Sequence, residues 1–154
     1  VKKTDLAYIA GIIDGEGTIA LCPAQRGNSK PSFQLTVKVS NTNEWLIQWL
    51  HFSFGGSCYA KKIYGENDKQ QWEWALWTVR ASEFLKLIYP YLRLKKPQAE
   101  LAIKFQGARR GRGHRLTEGE MAVMEAQKFL LTVLNKRGIA QIPISDKDRT
   151  KAEA

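Results

Sequence analysis

Cysteine is scarce in this chain: 154 residues contain only Cys22 and Cys58. Two such residues make no disulfide framework and no paired metal-ligand spacing, which fits a reducing, intracellular setting. With His51 and His114 they offer four possible zinc ligands. No two of the four are neighbours in sequence, so ordinary strand cysteines and ordinary histidines are the simpler reading. No apolar run approaches membrane-spanning length, and no signal-peptide core follows Val1-Lys2-Lys3-Thr4-Asp5. A soluble protein that is not secreted and has no membrane partner is expected. Acids are also few, 15 Asp and Glu against 24 Lys and Arg, a net charge of +9. A polyanion is then a plausible partner, and nucleic acid is the commonest for a domain this basic. An internal repeat is lacking. Gly15 and Gly17 lack the third glycine and the Lys-Ser/Thr of a phosphate-binding loop.

Hydrophobic residues make up 44% of the chain, enough for a real core in one compact domain. Residues 5 to 14 read as a helix, capped by Thr4 or Asp5, with Leu6, Ile9 and Ile13 at helical spacing. Strands are expected over 18 to 22 and 32 to 40, joined by a polar turn from Pro23 to Pro31. In the second strand Phe33, Leu35, Val37 and Val39 alternate with Gln34, Thr36 and Lys38. Ser40, Asn41 or Thr42 can cap a helix whose inner stripe is Leu46, Trp49, Leu50 and Ser53, ended by Gly55-Gly56. A second strand pair, 57 to 63 and 71 to 79, turns at Gly65-Glu66-Asn67-Asp68, and a helix over 81 to 89 breaks near Pro90. Pro97 opens another helix, where its missing N–H does no harm. Thr117 and Glu120 form a capping box for a last helix reaching about Arg137, closed by Gly138. The fold class is α+β. An αββαββα core over about 5–105 carries additional C-terminal helices over about 97–137. The domain runs over 1–138, and 139–154 is a flexible tail.

The segment Ala7-Tyr8-Ile9-Ala10-Gly11-Ile12-Ile13-Asp14-Gly15-Glu16-Gly17 stands out. Ala7, Ala10, Gly11 and Asp14 share one helix face, almost bare of side chains, and small residues let two helix backbones approach closely. Two acids then sit where the helix ends, although a carboxylate there opposes the helix dipole by roughly 0.3–1 kcal/mol. Such a carboxylate either has a counter-ion, a hard divalent cation being one candidate, or is simply a solvated turn residue.

Ala10-Gly11-Ile12-Ile13-Asp14-Gly15-Glu16-Gly17 resembles the motif that names the LAGLIDADG homing endonucleases. The resemblance extends over about residues 5 to 105, through the element order, Val39-Ser40-Asn41 and Leu92-Arg93-Leu94-Lys95. It implies a metal-dependent DNA endonuclease, intron-encoded in many members. Chains with a single motif are homodimers in that family, so the resemblance implies pairing through Ala7, Ala10, Gly11 and Asp14. It implies Glu16 as the direct metal ligand, with the Gly15 carbonyl beside it, and Mg2+ or another divalent cation such as Mn2+ as cofactor. Asp14 would shape the helix end. Asn41 matches a residue that orients water, although the family often has Gln there, and Lys95 matches a basic residue near the scissile phosphate. Location would be the cytoplasm of a prokaryote or an organelle matrix or stroma.

An antiparallel sheet with one free face can be a solvated surface or a reader of base edges in the major groove. The resemblance favours the second. The outward set is then Thr18, Ala20, Cys22, Gln34, Thr36, Lys38, Tyr59, Lys61, Gln71, Glu73, Ala75 and Trp77. Residues 93 to 115 hold eight basic residues and one acid, a net +7 of the total +9. Within them the glycine-spaced Arg109, Arg110, Arg112 and Arg115 suit either a flexible phosphate clamp or a solvated linker. The same fold also serves RNA-binding intron maturases, which makes intron RNA a possible partner, and DNA-binding regulators that do not cut.

Overall fold

The computed structural model describes residues 1–24, 32–111 and 113–136. Their order is α1 (Lys3–Gly15), β1 (Gly17–Ala24), β2 (Ser32–Asn41), α2 (Glu44–Phe54), β3 (Ser57–Ala60), β4 (Trp72–Trp77), α3 (Thr78–Ile88), a short 3-10 turn at Tyr89–Tyr91, α4 (Lys96–Gly107) and α5 (Glu118–Leu134). This is the expected αββαββα order followed by two helices. The four strands form one antiparallel sheet in the order β1-β2-β4-β3.

Alternation in β2 decides which face the helices cover. Leu35, Val37 and Val39 are fully buried, as are Ile19 of β1 and Trp74 of β4, which Val39 faces in register. On α3, Ala81, Phe84, Leu85 and Ile88 recur at helical spacing and are buried against that same layer. Phe84 meets Trp74 edge-on at 5.2 Å between ring centres and Phe54 at 5.0 Å. The Trp74 indole N–H, which must find a partner when buried, donates to the Gly55 carbonyl at 2.7 Å.

Several boundaries differ from the sequence reading. α1 starts at Lys3, ahead of Thr4, and Asp5 sits in its first turn, accepting a hydrogen bond from the Lys2 backbone N–H at 3.2 Å. The cap of α2 is Asn43, whose side chain accepts from Leu46 N–H at 3.2 Å, rather than Ser40, Asn41 or Thr42. Its inner stripe is Ile47 and Leu50; Trp49 is only partly buried, because it leans toward α1 instead. β4 ends at Trp77 and α3 begins at once at Thr78, three residues before the expected start. Thr78 has φ 52, a conformation rare for a β-branched residue, and it makes a strand-to-helix turn with no intervening loop. The capping box of α5 forms as expected, with Glu120 N–H donating to Thr117 Oγ1 at 3.2 Å and Thr117 N–H to Glu120 at 2.9 Å. α5 ends at Leu134, earlier than Arg137. Arg137, Gly138, the tail from 139 and most of the turn between β1 and β2 lie outside the described residues. α5 is tied down through Leu131, through Asn135, which donates to the Ile19 carbonyl at 2.8 Å, and through Gln98, which donates to Leu134 at 3.0 Å.

Gly17 sets the junction of α1 with β1. A Cβ there would lie 2.7 Å from Ile13 Cα and 2.8 Å from the Ile13 carbonyl oxygen, so the chain can turn this closely only without a side chain. Gly17→Ala is therefore expected to cost about 1–3 kcal/mol of stability by forcing backbone apart. Urea unfolding measures it, and an unchanged midpoint would refute the close-approach account.

Candidate active site and nucleic-acid surface

The C-terminal end of α1 gathers residues from three separate segments. Asp14 turns inward and accepts three backbone N–H groups, from Arg93 at 2.8 Å, Leu94 at 3.2 Å and Lys95 at 2.8 Å. Hydrogen bonds to a charged acceptor contribute about 1.5–3 kcal/mol each, against roughly 0.3–1 kcal/mol of dipole repulsion. The three N–H groups outweigh the unfavourable position, so Asp14 is not a solvated turn residue. It fastens the loop before α4 to the end of α1. That fastening delivers Lys95, whose Nζ donates to the Ile13 carbonyl at 2.8 Å and the Gly17 carbonyl at 2.6 Å, on either side of Asp14-Gly15-Glu16. Burial pushes the Lys95 ammonium below its usual pKa, with the nearby Asp14 charge opposing the shift.

Glu16 points the other way and is exposed. Its Oε2 accepts from Asn41 Nδ2 at 2.6 Å, and Asn41 Oδ1 in turn accepts from the Asn43 backbone N–H at 2.8 Å. The amide of Asn41 is thus held at both ends, and Glu16 is held by it. Gly15 is exposed with open space where a side chain would be. Glu16, Gly15, Asn41 and Lys95 therefore share one end of α1, supplied by α1, the end of β2 and the loop before α4.

The bare face of α1 is only partly as expected. Ala7 and Gly11 are exposed, and a Cβ on Gly11 would meet nothing within 4 Å. Ala10, expected beside them, is fully buried with Ile9 and Ile13 in the chain's own core. The helical offset of three residues from Ala7 to Ala10 carries it round toward the sheet, whereas the four from Ala7 to Gly11 keep Gly11 outside. Tyr8, 57% exposed, borders this face and meets Trp49 at 5.8 Å; Trp49 stacks on Trp45 at 6.2 Å with planes 3° apart. Trp45 and Phe52 are 69% and 82% exposed. The spacing Trp45, Trp49, Phe52 marks one stripe on α2 and was visible in the sequence, but it reads equally as core until Ile47 and Leu50 are seen to fill that place.

On the free sheet face, Thr18, Lys38 and Ala75 lie in one row across the strands, Ala20, Thr36 and Trp77 in the next, and Cys22 pairs Gln34. Thr18, Tyr59, Lys61, Gln71 and Trp77 are exposed, and Ala20, Cys22, Gln34 and Lys38 are half-buried. Three of the expected readers are not accessible. Thr36 is fully buried and donates to the Leu76 carbonyl at 3.3 Å; Ala75 is buried; and Glu73 is buried among other side chains. The Lys38 ammonium lies 5.3 Å over the Trp77 ring, in register beside Thr36. Glu73 accepts from the Tyr59 hydroxyl and from Ser40 at 3.1 Å, and pairs with Lys38 at 3.2 Å and Lys61 at 3.6 Å. Burial alone would raise the Glu73 carboxyl, but the hydrogen bonds from Tyr59 and Lys38, the Lys38 charge and Ser40 hold it below the usual carboxylate range. The same bond pushes the Tyr59 phenol up to about 12. Ser40 carries no sequence signal for this role.

Three described residues of the basic stretch make contacts within the fold. Arg109 packs over the Phe105 ring at 6.0 Å, Arg110 approaches Glu120 at 3.8 Å, and His114 meets the same carboxylate at 3.0 Å. Arg115 is exposed, and Arg112 lies outside the described residues. No described helix is long and apolar enough to cross a membrane.

No protein-family model and no curated protein matches the sequence. Solved structures do. The homing endonuclease I-CvuI, in complex with its target in the presence of Ca, superposes with a TM-score of 0.65 at 19% identity, over 97% of this chain and 93% of that one. The archaeal intron-encoded homing endonuclease I-Vdi141I, complexed with DNA, gives 0.70 at 15% identity, over 90% and 88%. The LAGLIDADG homing endonuclease I-LtrWI, bound to target DNA, gives 0.65 at 16% identity, over 83% of this chain and 44% of its own. The chain thus has the fold of the LAGLIDADG homing endonucleases.

Two outcomes test the division of labour between the acids. Asp14→Ala leaves three N–H groups without an acceptor and should cost at least about 1–3 kcal/mol in urea unfolding, whereas Glu16→Gln, exposed, should stay within about 0.5 kcal/mol. The reverse order would overturn the assignment. A carboxyl whose pKa is lowered by folding stabilises fully above its unfolded value and loses that contribution as pH falls. The stability gap between wild type and Glu73→Gln should accordingly be complete at neutral pH and shrink as pH drops below the ordinary 4.5.

Proposed function

We propose that the chain is a site-specific double-strand DNA endonuclease, acting as a homodimer on a long, roughly palindromic site with divalent metal ions, Mg2+ or Mn2+. The observation that carries this reading is the meeting of Glu16, Asn41 and Lys95 at the end of α1, next to an exposed helix face of Ala7 and Gly11. The neighbours' complexes with DNA supply the substrate class.

Pairing through α1 has a physical rationale. A 13-residue helix is about 20 Å long and 10 Å wide, so its bare face offers roughly 200 Å² per chain. A stable interface buries about 1,200–2,000 Å² in total. Tyr8, Trp45, Trp49 and Phe52 add the apolar surface that the helix alone lacks, directly beside it. A two-fold axis along α1 would bring two Glu16 carboxylates together. Among the described residues no three His, Cys, Asp or Glu side chains gather in one chain. A single exposed hard carboxylate with a neighbouring carbonyl, Glu16 with Gly15, suits an ion shared with a partner and with phosphate. Such an ion, when bound, activates a water and offsets charge on the leaving oxygen.

The chain's own residues do the rest. Asn41 fixes the Glu16 carboxylate in one orientation. Lys95 spends two of its three N–H donors on the Ile13 and Gly17 carbonyls, which steadies the segment carrying Glu16. The third donor and the positive charge remain to stabilise negative charge developing on the phosphate. Thr18, Cys22, Gln34, Lys38, Tyr59, Lys61, Gln71 and Trp77 form the base-reading surface. Arg109, Arg110, Arg112 and Arg115 serve the phosphates, which makes affinity fall steeply with salt.

The deciding assay is cleavage of a bound target with Mg2+. Glu16→Gln should abolish cutting while leaving DNA affinity intact or slightly higher, since a negative charge facing phosphate is removed. Cutting at the wild-type rate would sink the metal-ligand assignment, and wild-type protein that binds DNA without cutting would leave a regulator of this fold. Gly11→Leu should shift sedimentation from dimer toward monomer; a wild type that stays monomeric at high concentration, with and without DNA, would refute the pairing.

A further inference from the structure

The Glu73 carboxylate is enclosed by four partners, three of them hydrogen-bonded and the fourth, Lys61, an ion pair. An ionised carboxylate has about four lone-pair sites. Oε1 takes the Tyr59 hydroxyl and Lys38, and Oε2 takes Ser40 and Lys61. The Glu73 side chain is 9% exposed, while those of Lys38 and Lys61 are 30% and 42% exposed. The acid therefore lies beneath the groups that face outward. Its partners come from three places in the fold: Lys38 and Ser40 on β2, Tyr59 on β3, and Lys61, whose N–H continues the pairing to the Gln71 carbonyl at 2.7 Å.

We infer that Glu73 is a positioning residue for sequence recognition: it touches no base, and its carboxylate sets where Lys38, Lys61 and Tyr59 point. This rests on the reading of the sheet as a DNA-binding surface. A lysine has a flexible stem and a point charge, and alone it discriminates bases poorly because many of its conformations reach a phosphate. Pairing both ammonium groups with one buried carboxylate, Lys38 at 3.2 Å and Lys61 at 3.6 Å, restricts that freedom and leaves N–H groups to face outward. Holding a group in its bound orientation raises selectivity by lowering the ordering cost of the correct contact. Two ammonium groups on one carboxylate also leave the cluster net positive, so it still attracts DNA.

The rival role is direct: Glu accepting from a cytosine amino group. Site selection followed by dissociation constants at fixed salt separates the two, using wild type, Glu73→Gln, Lys38→Ala, Lys61→Ala, Tyr59→Phe, the variant combining the last three, and that variant with Glu73→Gln added. Positioning predicts that Glu73→Gln loses about tenfold in discrimination, at the same base pairs that Lys38→Ala, Lys61→Ala and Tyr59→Phe alter. It also predicts no further effect of Glu73→Gln once both lysines and the Tyr59 hydroxyl are gone. Glu73→Asp, shorter but charged, should recover part of the preference. Lost preference at a base pair that none of Lys38→Ala, Lys61→Ala and Tyr59→Phe affects would mean direct reading and overturn the inference. So would an unchanged preference profile, with or without reduced stability, which would make Glu73 scaffold alone. If wild type and Lys38→Ala alike prefer no sequence, the DNA-reading proposal itself fails. Should Glu73→Gln not fold, Tyr59→Phe and Ser40→Ala each remove one donor and should broaden preference in the same direction by a smaller factor; no change in either would equally overturn it.

Discussion

The Asp14 carboxylate, bound by the backbone N–H groups of Arg93, Leu94 and Lys95, is the contact on which the functional end of the molecule depends. It joins two segments that are eighty residues apart in sequence, and it does so at the negative end of a helix. Without those donors an acid there would be repelled by the helix carbonyls. With them, the acid holds the loop that leads into α4, whose N-cap residue Lys95 makes no side-chain cap of its own. Everything placed at this end follows from the joint. Lys95 is carried beneath the turn, its ammonium meets carbonyls on both sides of Gly15, and Glu16 is left facing outward, where Asn41 holds it.

The two acids of the motif thus have opposite fates. Asp14 is taken up by backbone N–H groups, and Glu16 is exposed with Asn41 as its side-chain partner. The same contrast recurs on the sheet. Glu73 is enclosed by donors, and its enclosure leaves Lys38, Lys61 and Tyr59 at the surface. In both places a carboxylate, half-buried at Asp14 and buried at Glu73, organises its surroundings, and in both it is satisfied by several hydrogen bonds rather than by one ion pair. A buried charge is stable only under that condition.

Much of the fold was legible in the residues. The period-two alternation of β2, the helical spacing in α3, and the Thr117–Glu120 capping box are local patterns with local causes. The position of Glu16 and Gly15 at a helix end was also legible, as was the run of positive charge from 93 to 115. What could not be read was which neighbour each side chain meets. Ala10 is as small as Ala7, yet one is core and the other surface. Trp49 fits either face of α2 by spacing alone. Thr36 alternates with outward residues but is covered by what lies beside it in register.

The sequence by itself determined the element order, the surplus of basic charge and the acidic end of α1. These depend on spacing and composition, which act over a few residues. Only the tertiary structure decided that Asp14 fastens the loop before α4 while Glu16 faces outward against Asn41, and that Glu73 is shared by Lys38, Ser40, Tyr59 and Lys61. Those outcomes rest on contacts between residues twelve to eighty-one positions apart. Such contacts depend on how strands register and helices dock, and a hydrogen-bond donor brought across the fold leaves no mark on the local pattern of the acid that receives it.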